Sequence, residues 1–169
     1  YEMRVWDAPG TEMGASAFIA QHDFVHVVAD YGTNMPGEME VFAFIGRADP
    51  DPMGFSWLAT MVGLFETGYV HEQGFFHSNV REHTLQMSGM AHRLADAIRR
   101  GKAVQEHFDT DLFAVDYHAL ATTPLAEVRA MLAVPPKGRE ALAAGSPGIF
   151  DPEGLSEAQR EWATTHEHD

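Results

Sequence analysis

Ala15-Ser16-Ala17-Phe18-Ile19-Ala20-Gln21-His22-Asp23-Phe24-Val25-His26-Val27-Val28-Ala29-Asp30 is the stretch on which the reading of the fold turns. It contains no glycine or proline, and it shows no sustained alternation of β-branched and polar residues, so it reads as one helix. Phe24, Val25, Val27 and Val28 give that helix the apolar cover of a buried element. His22, Asp23 and His26 interrupt the cover with three polar groups. Charged side chains are rarely buried without partners, so a buried His-Asp-His group calls for one, and a cation supplies it.

The rest of the chain reads outward in the same helical manner. Tyr31-Gly32-Thr33-Asn34-Met35-Pro36-Gly37 is a turn-rich loop, and Glu38 to Ala48 resumes as a helix. Asp49-Pro50-Asp51-Pro52 stops it, because proline blocks continuation and biases the preceding residue away from helix. Met53 to Val70 is apolar nearly all round, which predicts a central helix or one that faces something greasy. After Gly74, a long helix is predicted from Asn79 to Arg100, with Val80, Met87, Ala91, Leu94 and Ile98 as its apolar stripe and Gly101 as its stop. A short helix follows from Thr123 to Leu132, with Pro124 in the first turn. Beyond Pro135-Pro136, glycines and scattered charges leave one brief helix, Ser156 to Thr164. The expectation is an all-α fold: a single compact multi-helix domain over 1–134 with a buried metal-binding helix. The C-terminal extension, 135–169, is expected to be loosely structured and only partly ordered.

Composition narrows the function. The 169 residues suit one domain, and 45% of them are hydrophobic, well above the level of a disordered chain. A net charge of −14 argues against nucleic acid, whose phosphates need a basic footprint, and against headgroup-driven membrane binding; apolar docking stays open. The absence of cysteine excludes disulfides and thiolate chemistry. No charge-free apolar run reaches the roughly 20 residues of a spanning helix. An acidic, cysteine-free chain suggests cytoplasm with peripheral membrane contact, or the mitochondrial matrix side of the inner membrane if eukaryotic.

Chemistry concentrates between residues 22 and 38. His22 and His26 stand at i and i+4 and share a helix face, with Asp23 bordering it. The loop containing Gly32, Pro36 and Gly37 can return Glu38 to the same point. Two imidazoles with carboxylates suit zinc, iron or manganese better than copper(I). A zinc-protease motif would have glutamate after its first histidine, and here Asp23 stands there. A His-Asp phosphohydrolase would need an upstream histidine, and none precedes His22. His71, His77 and His83 are spaced by six and do not share a helix face. They and His92 read as solvated or locally bonded. Arg99, Arg100 and Lys102 read as a helix C-terminal cap.

The pattern His22-Asp23-x-x-His26-x11-Glu38 resembles the signature of the coenzyme Q biosynthesis protein 4 family. The Asp30 to Glu38 turn, with its Gly32-Thr33 and Gly37-Glu38, looks similar to that family's as well. A second block agrees in order: Ala97-Ile98-Arg99-Arg100-Gly101-Lys102, then Asp111-Leu112-Phe113-Ala114-Val115-Asp116-Tyr117, then Pro124-Leu125-Ala126-Glu127-Val128-Arg129. Tyr117 stands where the family usually has tryptophan, and the residues before His22 and after Val134 are unlike it. The resemblance implies a helical protein that binds a divalent ion through His22, Asp23, His26 and Glu38. It also implies action on a polyprenylated quinone precursor at a membrane surface, beside other quinone-biosynthesis proteins, and leaves a homodimer open. The family is viewed both as an organiser of the biosynthetic complex and as the catalyst of C1 decarboxylation coupled to hydroxylation. Phe42, Phe55, Leu58, Met61, Val62 and Phe65 are the candidate lining for an isoprenoid tail; their plainer reading is ordinary core. A non-catalytic lipid-binding scaffold and a stand-alone metallohydrolase are the competing expectations.

Overall fold

A computed structural model describes residues 17–49, 56, 58–60, 62–63, 84–108, 111–156 and 159–160. The fold is all-α as expected. Among the described residues it comprises α1 (Ala17–Ala29), α2 (Met35–Ala48), α3 (Met90–His107), α4 (Leu125–Met131) and α5 (Arg139–Ala143), with no strand. Single 3-10 turns lie at Thr84–Gln86, Leu112–Ala114 and Pro152–Gly154.

The central element is α2. Asn34 caps its start by accepting from the Gly37 N–H, Pro36 sits in the first turn, and Glu38 complements the positive end of the helix dipole. Asp49 then leaves the helix with extended backbone, one residue before Pro50. Met39, Val41, Phe42, Ala43, Phe44, Ile45 and Ala48 are all buried, so the helix is enclosed on nearly every side. Each large apolar side chain so buried contributes roughly 1.5–3 kcal/mol. The segment expected to be central, 53–70, is described only in part. Its helical residues Ser56, Ala59, Thr60 and Gly63 are exposed, and Leu58 and Val62 are half-buried.

The most extensive helix pairing is between α2 and α3. Three expectations for α3 are corrected. The helix starts at Met90, not at Asn79, because residues 84–89 form a 3-10 turn followed by a bend and a turn. Met87 and Ile98 are exposed, as is Ala91; the buried face is instead Met90, Arg93, Asp96, Ala97, Arg100, Gly101 and Val104. Gly101 does not end the helix, which runs on to His107. A Cβ at Gly101 would lie well under 3.0 Å from the Phe44 carbonyl oxygen, so glycine serves here to bring two helix backbones together. Gly101→Ala gains about 1 kcal/mol of intrinsic helix propensity. The backbone clash outweighs that gain, and the expected outcome is a net loss of about 1–3 kcal/mol, read as a lower thermal midpoint.

The first part of the C-terminal extension is built into the fold. Ala141, Ser146, Gly148, Ile149 and Gly154 are buried, α5 packs on α3, and the Pro152–Gly154 turn meets the loop between α1 and α2. The helix expected over Ser156 to Thr164 is described only at Gln159 and Arg160, which are helical.

Candidate metal centre

Three side chains converge where α1 faces the start of α2. One turn of α1 separates His22 from His26, and both are buried. The chain then turns back through Asp30, whose left-handed φ of 63° ends α1, while the Tyr31 N–H bonds to the His26 carbonyl at 3.1 Å. Arg129 closes the same helix end from α4. Its Nε donates to the Val28 carbonyl at 2.9 Å and its Nη2 to Val27 at 3.1 Å. The return brings Glu38 beneath the two imidazoles with its side chain only 12% exposed.

The distances define a tight cluster of donor atoms. His22 Nε2 lies 3.3 Å from Glu38 Oε2, His26 Nε2 lies 3.4 Å from Glu38 Oε1, and the two Nε2 atoms are 3.2 Å apart. The opposite nitrogens are both committed. His26 Nδ1 is 3.2 Å from the Tyr31 carbonyl, an acceptor that obliges that nitrogen to donate. His22 Nδ1 is 3.4 Å from Asp23 Oδ1, which likewise accepts. In the neutral rings, both Nε2 lone pairs therefore point at one another and at a carboxylate. Only a positive charge between them, a proton or a metal ion, resolves that arrangement.

Electrostatics agree. Burial pulls the His22 pKa down, yet hydrogen bonds to the Asp23 and Glu38 carboxylates outweigh it and raise the group to about 9. Burial pushes Glu38 up, and the charges and hydrogen bonds of His26 and His22 outweigh that in turn, holding it well below the usual carboxylate range. The donor spacing also fits. Ligands bound at about 2.0–2.2 Å around one ion stand roughly 3.0–3.5 Å apart in octahedral or tetrahedral arrangements.

Of the four candidate ligands, His22, His26 and Glu38 come together, with their donor atoms all within 4.8 Å of one another. The Asp23 carboxylate faces Nδ1 of His22 and is 31% exposed, so it occupies the place of a carboxylate that orients a histidine ligand. Among the candidate tail-binding residues, Phe42 is buried and stacks on the His22 ring, with centroids 4.7 Å apart. Leu58 packs against the cluster containing Phe42, and Val62 packs against Met39 and Met90. Phe55, Met61 and Phe65 lie outside the described residues, as do His71, His77 and His83. His92 is largely exposed and sits 3.8 Å from Glu140. Sequence reasoning missed Tyr31, which acts through its backbone carbonyl, and Arg129. The position of Arg129 inside the quoted Pro124 to Arg129 block was the signal that could have found it.

The class of site is a buried cluster of two imidazoles and one carboxylate, a donor set able to hold a divalent ion such as iron, zinc or manganese. In comparisons with known proteins, the chain matches no family model, no curated protein and no solved structure.

Proposed function

We propose that the chain is a metal-dependent enzyme of ubiquinone biosynthesis. Its reaction replaces the C1 carboxyl of a polyprenylated hydroxybenzoate by hydroxyl and releases CO2; one atom of dioxygen enters the ring and the other leaves as water, taking two electrons and two protons from an external reductant. The observation that carries this reading is the convergence of His22 Nε2, His26 Nε2 and Glu38 with both Nδ1 atoms committed elsewhere. The motif resemblance supplies the substrate class. The motifs quoted for it also meet in space: Arg129 caps α1, Tyr117 stacks on Phe24 at 5.1 Å, and Arg100 lies over the Tyr31 ring at 4.9 Å.

When bound, a divalent ion held by His22, His26 and Glu38 would supply a Lewis acid for the ring carboxylate of the precursor. The chain's own groups do the rest. Asp23 and the Tyr31 carbonyl fix the two imidazole planes, and Phe42 holds the His22 ring by stacking. The half-buried Leu58, Val62 and Leu94 pack on the core beside Phe42, Met39 and Met90, and in this reading their outer side meets the isoprenoid tail. No described helix is long and apolar enough to cross a membrane. The proposal places the protein peripherally on the membrane surface that carries such lipids, beside other quinone-pathway proteins, as a homodimer or a single chain.

Incubating iron-, manganese- or zinc-loaded protein with a prenylated hydroxybenzoate tests the proposal. The expected result is CO2 release that needs both metal and dioxygen. Tight lipid binding without turnover points instead to a scaffold. Hydrolysis of a generic phosphate or ester points to a metallohydrolase.

A further inference from the structure

The metal donors do not account for the return of residues 137–154 to the loop between α1 and α2. The Gly154 carbonyl accepts from the N–H groups of Thr33 at 2.7 Å and Asn34 at 3.1 Å. Asn34 Nδ2 donates to the Glu153 carbonyl at 2.6 Å. On its other side Asn34 serves α2: its Oδ1 accepts from the Gly37 N–H at 2.9 Å, and its carbonyl accepts from the Glu38 N–H at 2.9 Å. One residue therefore joins the extension to the helical turn that carries a metal donor.

The approach is backbone to backbone. A Cβ on Gly32 would stand 2.5 Å from the Gly154 carbonyl oxygen, so no other residue lets the turn sit so close. The same segment grips the loop at Tyr31, whose carbonyl orients His26. Lys137 Nζ lies 5.2 Å from the Tyr31 ring centroid and is itself held by the carbonyls of Ser146 at 3.1 Å and Pro147 at 2.7 Å. The Ser146 hydroxyl donates to Glu40 at 2.6 Å, two residues beyond Glu38. Both routes to the centre, through Tyr31 to His26 and through Asn34 to Glu38, thus start from the extension.

We propose that residues 137–154 are a clamp that sets the geometry of the metal donors, with Asn34 as its positioning residue; this rests on the metal-centre reading above. Donors that must converge on one ion tolerate displacements of only about 0.5 Å. A loop and a helix start held by four hydrogen bonds and a cation–ring contact from the extension would keep them there.

Two full-length variants test it. Gly154→Ala leaves α1, the loop and α2 unchanged in sequence but sets a Cβ against the Gly148 carbonyl, displacing the turn. Asn34→Ser keeps a good capping oxygen for α2 and removes the donor to Glu153. The probe is cobalt(II), titrated against a chromophoric chelator, with its visible bands recorded and the metal-free fold checked by circular dichroism. The expected result, in a variant that folds, is a roughly 10–100-fold loss of affinity with shifted bands, the size seen when groups that orient metal ligands are lost. If Gly154→Ala does not fold, Asn34→Ser decides alone. Wild-type affinity and bands in every folded variant would overturn the clamp. A wild-type chain that takes up no cobalt(II) removes the metal-centre reading instead, and the clamp with it.

Discussion

His26→Ala is expected to leave the chain unable to retain a stoichiometric metal ion, with affinity lower by more than ~100-fold. Groups that merely orient a ligand cost 10–100-fold when lost, so a donor itself costs more. The substitution removes one of three converging atoms and leaves His22 and Glu38 to hold the ion alone. The metal-free fold should survive. Deleting the ring leaves a small cavity and a Tyr31 carbonyl without its donor, a cost of about 1–3 kcal/mol. Partly offsetting this, it relieves the opposition of two Nε2 atoms at 3.2 Å. Asp23→Asn is the informative companion, because Asp23 meets His22 at Nδ1 and not at the converging nitrogen. Its expected loss is only 10–100-fold. Metal per chain by elemental analysis and affinity by chelator competition check both. Equal damage from the two variants would make Asp23 a direct ligand, and metal retained by His26→Ala would end the triad reading.

The difference between what the sequence disclosed and what it hid has a physical pattern. Helix periodicity made His22 and His26 neighbours at once, and the turn residues between them and Glu38 made the return foreseeable. Those are short-range relations, fixed by 3.6 residues per turn and by backbone sterics. The buried face of α3 was illegible for the opposite reason. Its stripe carries Arg93, Asp96 and Arg100, which a hydrophobicity pattern assigns to solvent. They are inside because their partners arrive from elsewhere in the chain. Arg93 meets Glu40, Asp96 accepts from the Gly138 N–H at 3.1 Å, and Arg100 Nε donates to the Pro135 carbonyl at 2.9 Å. The ordered start of the extension was hidden similarly. Gly32, Gly148 and Gly154 work through the absence of a side chain, so composition made the region look loose where backbones in fact pack closely. Asp23 shows a subtler limit. Spacing put it beside the face shared by His22 and His26, but its rotamer turns the carboxylate to Nδ1 of His22, 3.4 Å away, and rotamer is not legible in spacing.

Arg93→Met is the substitution expected to cost the most stability, about 3–5 kcal/mol, the usual penalty for removing one partner of a buried ion pair. Glu40 is fully buried in the middle of α2 and accepts from Arg93 Nη2 at 2.5 Å and from the Ser146 hydroxyl at 2.6 Å. With Arg93 gone, a carboxylate in the core keeps a single neutral donor. A domain of this size has only about 5–15 kcal/mol to lose, so the variant should sit near the edge of folding. Glu40→Leu alone should also be costly, since it strands a guanidinium whose Nε has no partner among the described residues. The two changes together should not add. Replacing both charges with apolar side chains removes the desolvation penalty as well as the attraction, and such exchanges are often neutral or stabilising by 1–4 kcal/mol. Urea denaturation of the two single variants, the double variant and the parent closes the cycle. A coupling of at least ~2 kcal/mol in favour of the double variant is expected. Singles that each cost under ~1 kcal/mol and sum in the double would mean the pair behaves as a solvated surface bridge. Metal affinity should move little in the folded double variant if the pair serves α2–α3 packing alone. A parallel loss of affinity would tie Glu40 to the placement of Glu38, two residues away on the same helix.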